Sequence, residues 1–279
     1  MIIQTELGFL DVSPGEIVVL PRGFVFKVDT EATCATGYIL EVFNGHFELP
    51  ELGPIGANGL ANPQDFAFPR AAFDRNDSAE TFSIINKYAD NFFLCERDES
   101  PFNVVAWRGN YAPFKYDLAR FNVINSVSWD HPDPSIFTVL TCKSAVAGTA
   151  LADFVIFPPR WQVTEHTFRP PYFHRNAMSE FMGLITGAYE AKQEGFLPGG
   201  ASLHSTMSAH GPDSQTYYSA VAAELKPVKT GQDSLAFMFE SSLMLGVTEW
   251  ALQEAGTLQQ DYYQAWQELK AVKIPEEFQ

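Results

Sequence analysis

Short apolar and aromatic segments, each stopped within a few residues by glycine, proline or an Asp/Asn turn, run through the first half of the chain and confine it to a sheet-rich architecture. The segments 16–20 (before Pro21-Arg22-Gly23), 38–43, 104–107, 136–142 and 154–157 (before Pro158-Pro159) each read as a strand ended by a turn. With 279 residues, 46% hydrophobic and only 19% charged, the chain can bury the core of one large β domain or of two smaller ones. Residues 52–75 carry Gly53, Pro54, Gly56, Gly59, Pro63 and Pro69, and so long an irregular stretch is expected to be functional or interfacial. Near the C-terminus Leu258, Tyr262, Ala265, Trp266 and Leu269 fall at helical spacing, which predicts an amphipathic helix.

Gly15, Pro21 and Gly23 match the second half of the two-part sequence pattern of cupin barrels, in which a strand runs into a tight turn. The other half of the pattern is not found upstream. A net charge of -16 repels phosphate backbones and anionic lipid, so nucleic acid and membranes are not expected as partners. Cys34, Cys95 and Cys142 are odd in number, far apart and without a CxxC pair, which argues against both a disulfide framework and a thiolate zinc site and favours a reducing compartment. No run approaches the length of a membrane span, and the first residues lack a basic and then apolar leader, so a cytoplasmic location is expected.

Five of the six histidines lie between His131 and His210. Neutral imidazole is the commonest metal ligand, so the clustering raises the question of convergence in space. In a regular strand residues six apart share a face, which would turn His174 and Glu180 into one cavity. His204 and His210 are also six apart, and either completes a set of two histidines and one carboxylate. That set suits oxygen-activating non-haem iron(II), because it leaves positions open for substrate and dioxygen; zinc or manganese accepts similar donors. Each residue has a plainer reading as well. His174 is equally a hydrogen-bonded histidine at a strand end, and His204 and His210 are equally loop residues. Glu180, between Met178 and Phe181, is harder to dismiss, because a buried carboxylate needs a cationic or metal partner. His131 reads as a turn histidine, Tyr189 as a rim residue, and His46 and His166 as ordinary surface histidines.

Longer strings carry a more specific signal. Asp153-Phe154-Val155-Ile156-Phe157-Pro158-Pro159-Arg160-Trp161, the run from Thr167 through Asn176, Met178-Ser179-Glu180-Phe181-Met182-Gly183, Tyr189-Glu190-Ala191-Lys192, Ser202-Leu203-His204-Ser205 and His210-Gly211-Pro212-Asp213 together resemble the homogentisate 1,2-dioxygenase family. The resemblance runs from near Ile3 to about Trp250 and implies that the chain is the C-terminal part of such a protein, with the family's N-terminal portion absent. It implies iron(II) held by His174, Glu180 and His210, His131 as acid/base on a substrate hydroxyl, and Tyr189 with His210 as contacts to homogentisate. His204 and Arg175 would stand in the pocket beside the ligands; from charge and position rather than from the resemblance, Arg175 or Arg169 is expected to meet the substrate carboxylate. The implied reaction converts homogentisate and O2 to maleylacetoacetate, in trimers paired into hexamers. The expected fold is mainly β: a cupin-like, jelly-roll β-sandwich with a mixed C-terminal region and a C-terminal helix. Its expected parts are a partial N-terminal cupin-like domain at 1–120 and an iron-site domain at 121–279. Two alternatives stand beside this: another iron-dependent cupin dioxygenase acting on a different aromatic acid, and an inactive fragment that acts only in assembly.

Overall fold

Alternating burial along the first strands follows the alternation of their side chains. In the computed structural model, which describes residues 1–51, 61–74, 80–103, 111–123, 134–192, 195–271 and 273–278, the chain divides into two units. The first comprises residues 1–38 and 61–121. Its strands are β1 (Ile2–Thr5), β2 (Gly8–Asp11), β3 (Glu16–Val19), β4 (Phe26–Asp29), β5 (Phe82–Tyr88), β6 (Asn91–Arg97) and β7 (Phe114–Asp117). They form three small antiparallel sheets, β2-β1-β4, β3-β7 and β5-β6. Ile3, Leu10 and Val12 are buried together, with Val18 and Leu20 against them. The β1–β2 turn depends on Gly8: its φ is +115°, and a Cβ there would overlap the Arg70 carbonyl.

The second unit comprises residues 39–60 and 122–279 and contains β8 (Thr138–Lys143), β9 (Ala150–Phe157), β10 (Arg160–Gln162), β11 (Ser179–Thr186), β12 (Ala201–His204), helix α1 (Ser214–Ala222), β13 (Val228–Thr230) and β14 (Leu235–Ser241). Five of these strands make one antiparallel sheet in the order β12-β11-β14-β9-β8. Strand partners share a face, so the register sorts the side chains cleanly. Phe154, Phe181, Phe237 and Phe239 stand on one side. Val155, Met182 and Met238 stand on the other, packed with Ile136 and Phe137. Helix α1 starts at Asp213, whose carboxylate accepts the Thr216 N–H at 2.8 Å and so satisfies one of the first-turn donors.

The mainly β expectation agrees with this architecture, but the cupin-like jelly roll does not: among the described residues no sheet closes on itself, and the five-stranded sheet has open ends at β12 and β8. The physical reason is that a strand-then-turn pattern reports strand content and is silent on closure, which depends on stagger between distant strands. The expected C-terminal helix is also corrected. Around 258–269 the chain forms only a 3-10 turn at Tyr262–Trp266, preceded by a π-helical turn at Trp250–Glu254. Tertiary bonds decide this, because the Trp266 indole donates to the Gly211 and Pro212 carbonyls at 3.1 and 3.0 Å, which fixes the ring on the sheet unit. Segment 38–43 forms no strand, and segment 104–107 lies outside the described residues. Among the described residues no helix is long and apolar enough to cross a membrane.

Candidate metal centre

The polar side of the five-stranded sheet carries the site. Glu180 on β11 is the register partner of His204 on β12 and of Glu240 on β14, and Glu240 in turn faces Asp153 on β9. His174 lies in the irregular stretch before β11 and forms a two-residue bridge with His210, through N–H to carbonyl bonds of 2.9 and 3.0 Å. The ligand atoms of His174, Glu180 and His210 lie within 4.8 Å of one another. His174 and Glu180 therefore converge, but not as two residues of one strand: β11 begins only at Ser179, and the bridge to His210 is what brings His174 in.

Both of these imidazoles are oriented by the backbone. His174 Nδ1 sits 2.5 Å from the Tyr172 carbonyl and His210 Nδ1 sits 2.9 Å from the Ser208 carbonyl. A carbonyl only accepts, so each Nδ1 carries the proton and each Nε2 is left as the ligand atom. His210 Nε2 lies 2.9 Å from Glu180 Oε2, and His204 Nδ1 lies 3.3 Å from the same oxygen. The His204 and His210 rings stack with centroids 4.2 Å apart.

Glu180 is buried, and burial alone would raise its pKa. Hydrogen bonds from His204, His210 and Asn176 outweigh that and hold the carboxyl well below the usual carboxylate range. Burial works against a charge on His210, yet its bonds to Glu180 and to the Ser208 carbonyl raise its pKa overall. Glu240 behaves oppositely to Glu180: burial first, then the charges of Glu180 and Asp153, push it up to about 7 despite a bond from Asn176. The pair Glu180–His210 thus wants a positive charge, which a proton or a metal ion can supply.

The cluster opens into a cavity of about 500 Å³ lined also by Phe137, Met182, Tyr189, Lys192 and Met238. Tyr189 packs edge-on against Phe157, with centroids 5.8 Å apart, and burial followed by the Glu190 charge raises its phenol pKa. Arg175 is exposed and lines the cavity. Arg169 also lines it but is committed to backbone, its guanidinium donating to the Thr164 and Lys226 carbonyls. His131 lies outside the described residues. Sequence reasoning missed Asn176, Arg160 and Glu190. Arg160 and Glu190 form an ion pair at 2.5 Å on the cavity wall, with Arg160 4.7 Å above the Phe137 ring. Thirty positions separate the pair, so no local spacing exposes it.

Two imidazoles whose Nε2 atoms face the cluster and one ionised carboxylate, gathered at the wall of a cavity, define a candidate mononuclear metal site with nitrogen and oxygen donors. The donor set fits iron(II), since it contains no thiolate and leaves coordination positions unfilled by protein. Comparison with known proteins narrows the class. The family model described as homogentisate 1,2-dioxygenase C-terminal matches residues 119–273, and the one described as homogentisate 1,2-dioxygenase N-terminal matches residues 1–118. The chain belongs to the homogentisate 1,2-dioxygenase family.

Among its relatives, homogentisate 1,2-dioxygenase of Dictyostelium discoideum is 60% identical over 268 residues, which is 96% of this chain and 61% of that protein. The Homo sapiens protein is 57% identical over 276 residues, 99% of this chain and 62% of the relative. That of Pseudomonas fluorescens is 57% identical over 273 residues, 98% and 62% respectively. The chain thus spans about 61–62% of the length of these curated relatives. The expectation that the family's N-terminal portion is absent is corrected by the match over residues 1–118.

Proposed function

We propose that this chain is a ring-cleaving dioxygenase that converts homogentisate and O2 to maleylacetoacetate, the reaction of tyrosine and phenylalanine catabolism, with iron(II) held by His174, Glu180 and His210. The observation that carries the reading is the convergence of those three ligand atoms within 4.8 Å in a chain of this family. Iron(II) held by His174, Glu180 and His210 would supply Lewis acidity toward a ring hydroxyl and a redox-active centre for the reaction with dioxygen. The protein's part is to hold and exclude. Backbone carbonyls fix the His174 and His210 tautomers, and the cavity wall of Phe137, Met182 and Met238 keeps water from the reacting ring.

In this reading His131 takes the proton from the substrate hydroxyl, and Tyr189 and His210 contact the substrate. His204, stacked on His210, keeps that ring in place. Arg175 is the guanidinium proposed for the substrate carboxylate in preference to Arg169, which is spent on carbonyls. Ring opening breaks the bond between the hydroxyl-bearing carbon and the carbon carrying the acetate arm, and both oxygen atoms enter the product. Residues 1–120 and 121–279 are read as the two domains, the second bearing the site. A cytoplasmic homo-oligomer, trimeric or hexameric, completes the proposal.

The test is oxygen uptake by the anaerobically purified chain after reconstitution with iron(II). The expected result is one O2 consumed per homogentisate, with no uptake by His174→Ala. Iron-loaded, folded protein that leaves homogentisate untouched would overturn the proposal.

A further inference from the structure

Glu180 and Glu240 are direct cross-strand partners, and two like charges so placed ordinarily repel. A single amide lies between them. Asn176 Nδ2 donates to Glu180 Oε1 at 2.7 Å and to Glu240 Oε1 at 2.9 Å. The amide cannot be turned the other way round, because its Oδ1 accepts the Met178 N–H at 2.9 Å, a bond the NH2 group could not make. The backbone is pinned as well, since the Asn176 carbonyl accepts the Met207 N–H at 2.8 Å. Both hydrogens of the amide are therefore directed at carboxylates, and the side chain has one arrangement that satisfies all its groups.

The consequence falls on the Glu180 carboxylate. Its Oε1 is occupied by Asn176, whereas Oε2 faces His210 Nε2 at 2.9 Å and His204 Nδ1 at 3.3 Å. We infer that Asn176 is the positioning residue of the metal centre, its amide holding Oε1 so that Glu180 offers a bound metal a single oxygen, Oε2. Glu240 serves as the second acceptor that keeps the amide in line. A carboxylate released from this bond is free to turn and offer both oxygens, which would consume a position the reaction needs open. The inference rests on the metal-site reading above and adds a residue that does not itself touch substrate or metal.

Cobalt(II) tests this without reference to turnover, because its visible absorption weakens as coordination number rises. Asn176→Ser is the informative variant: the shorter hydroxyl can still accept the Met178 N–H, preserving the turn, but falls short of Glu180. Asn176→Ala removes both. For a positioning residue the variants are expected to fold, to bind cobalt(II) about 10- to 100-fold more weakly, and to show a weaker visible band. Variants that bind cobalt(II) with the affinity and spectrum of the unsubstituted chain would overturn the inference. If Asn176→Ala does not fold, the Asn176→Ser spectrum decides. An unsubstituted chain that binds no cobalt(II) would overturn the metal-site reading itself, and this inference with it.

Discussion

The two faces of the five-stranded sheet are built by the same strands, yet only one of them carries buried charge. On one, Phe154, Phe181, Phe237 and Phe239 pack with ring centroids between 4.9 and 6.5 Å apart. On the other, His204, Glu180, Glu240 and Asp153 stand in register across β12, β11, β14 and β9. The aromatic face works by removing area from water, a force without direction, so its residues are defined by volume. The polar face has no such latitude. Glu180 is held as a buried anion by partners at fixed distances, which Asn176, His204 and His210 supply. The site's face also carries Val155, Met182 and Met238, buried with Ile136 and Phe137, so apolar burial contributes on both sides of the sheet while the metal-site chemistry is confined to one.

The largest effect that would break this division is expected from Phe237→Ala. Phe237 is 2% exposed, and truncation should cost about 3–5 kcal/mol in denaturant unfolding while leaving metal affinity per folded molecule unchanged. A similar loss of metal affinity would show that the faces are not separable.

A smaller and pH-dependent effect is expected on the polar side. Glu240 is raised from 4.5 to about 7, so between those values the folded chain keeps a proton that the unfolded chain releases. Stability of the metal-free protein should therefore be fully present near pH 4.5 and fall as pH rises towards about 7, by on the order of 3 kcal/mol at most. His210, also raised, acts in the same direction, whereas Glu180, lowered, withdraws stability only as pH falls below the ordinary carboxylate range. Glu240→Gln should flatten the slope in melting temperature across that interval; an unchanged slope would remove Glu240 as its source.

The smallest effect is expected where neither face of a sheet is covered. Strands β5 and β6 leave nearly every residue exposed, and Ile85 is 70% accessible. Ile85→Ser should alter stability by less than about 0.5 kcal/mol. A larger loss would mean that the hairpin is packed against something in solution.

Sequence patterning gave away the strands that are long and strongly apolar, such as β9, and the turn after β3 that Pro21 and Gly23 mark. It failed where tertiary contacts override local preference. The helical spacing around Tyr262 and Trp266 serves instead to place those rings beside Lys192 and the Gly211 and Pro212 carbonyls. The candidate ligands were legible as residue types within a short stretch, but the strand-period argument for His174 and Glu180 was the wrong geometry. The bridge between His174 and His210 joins residues 36 positions apart, and period two cannot announce it. Asn176 was invisible for a related reason: its role depends on Glu240, which only strand register brings near.

The central claim is that His174, Glu180 and His210 form one iron site. Anaerobic titration with iron(II) of the unsubstituted chain and of His174→Ala, Glu180→Ala and His210→Ala tests it most directly. One iron per unsubstituted chain is expected, with each variant folded and binding more than about 100-fold more weakly, beyond the loss typical for a residue that only supports a ligand. Three folded variants that retain iron at the original affinity would contradict the account.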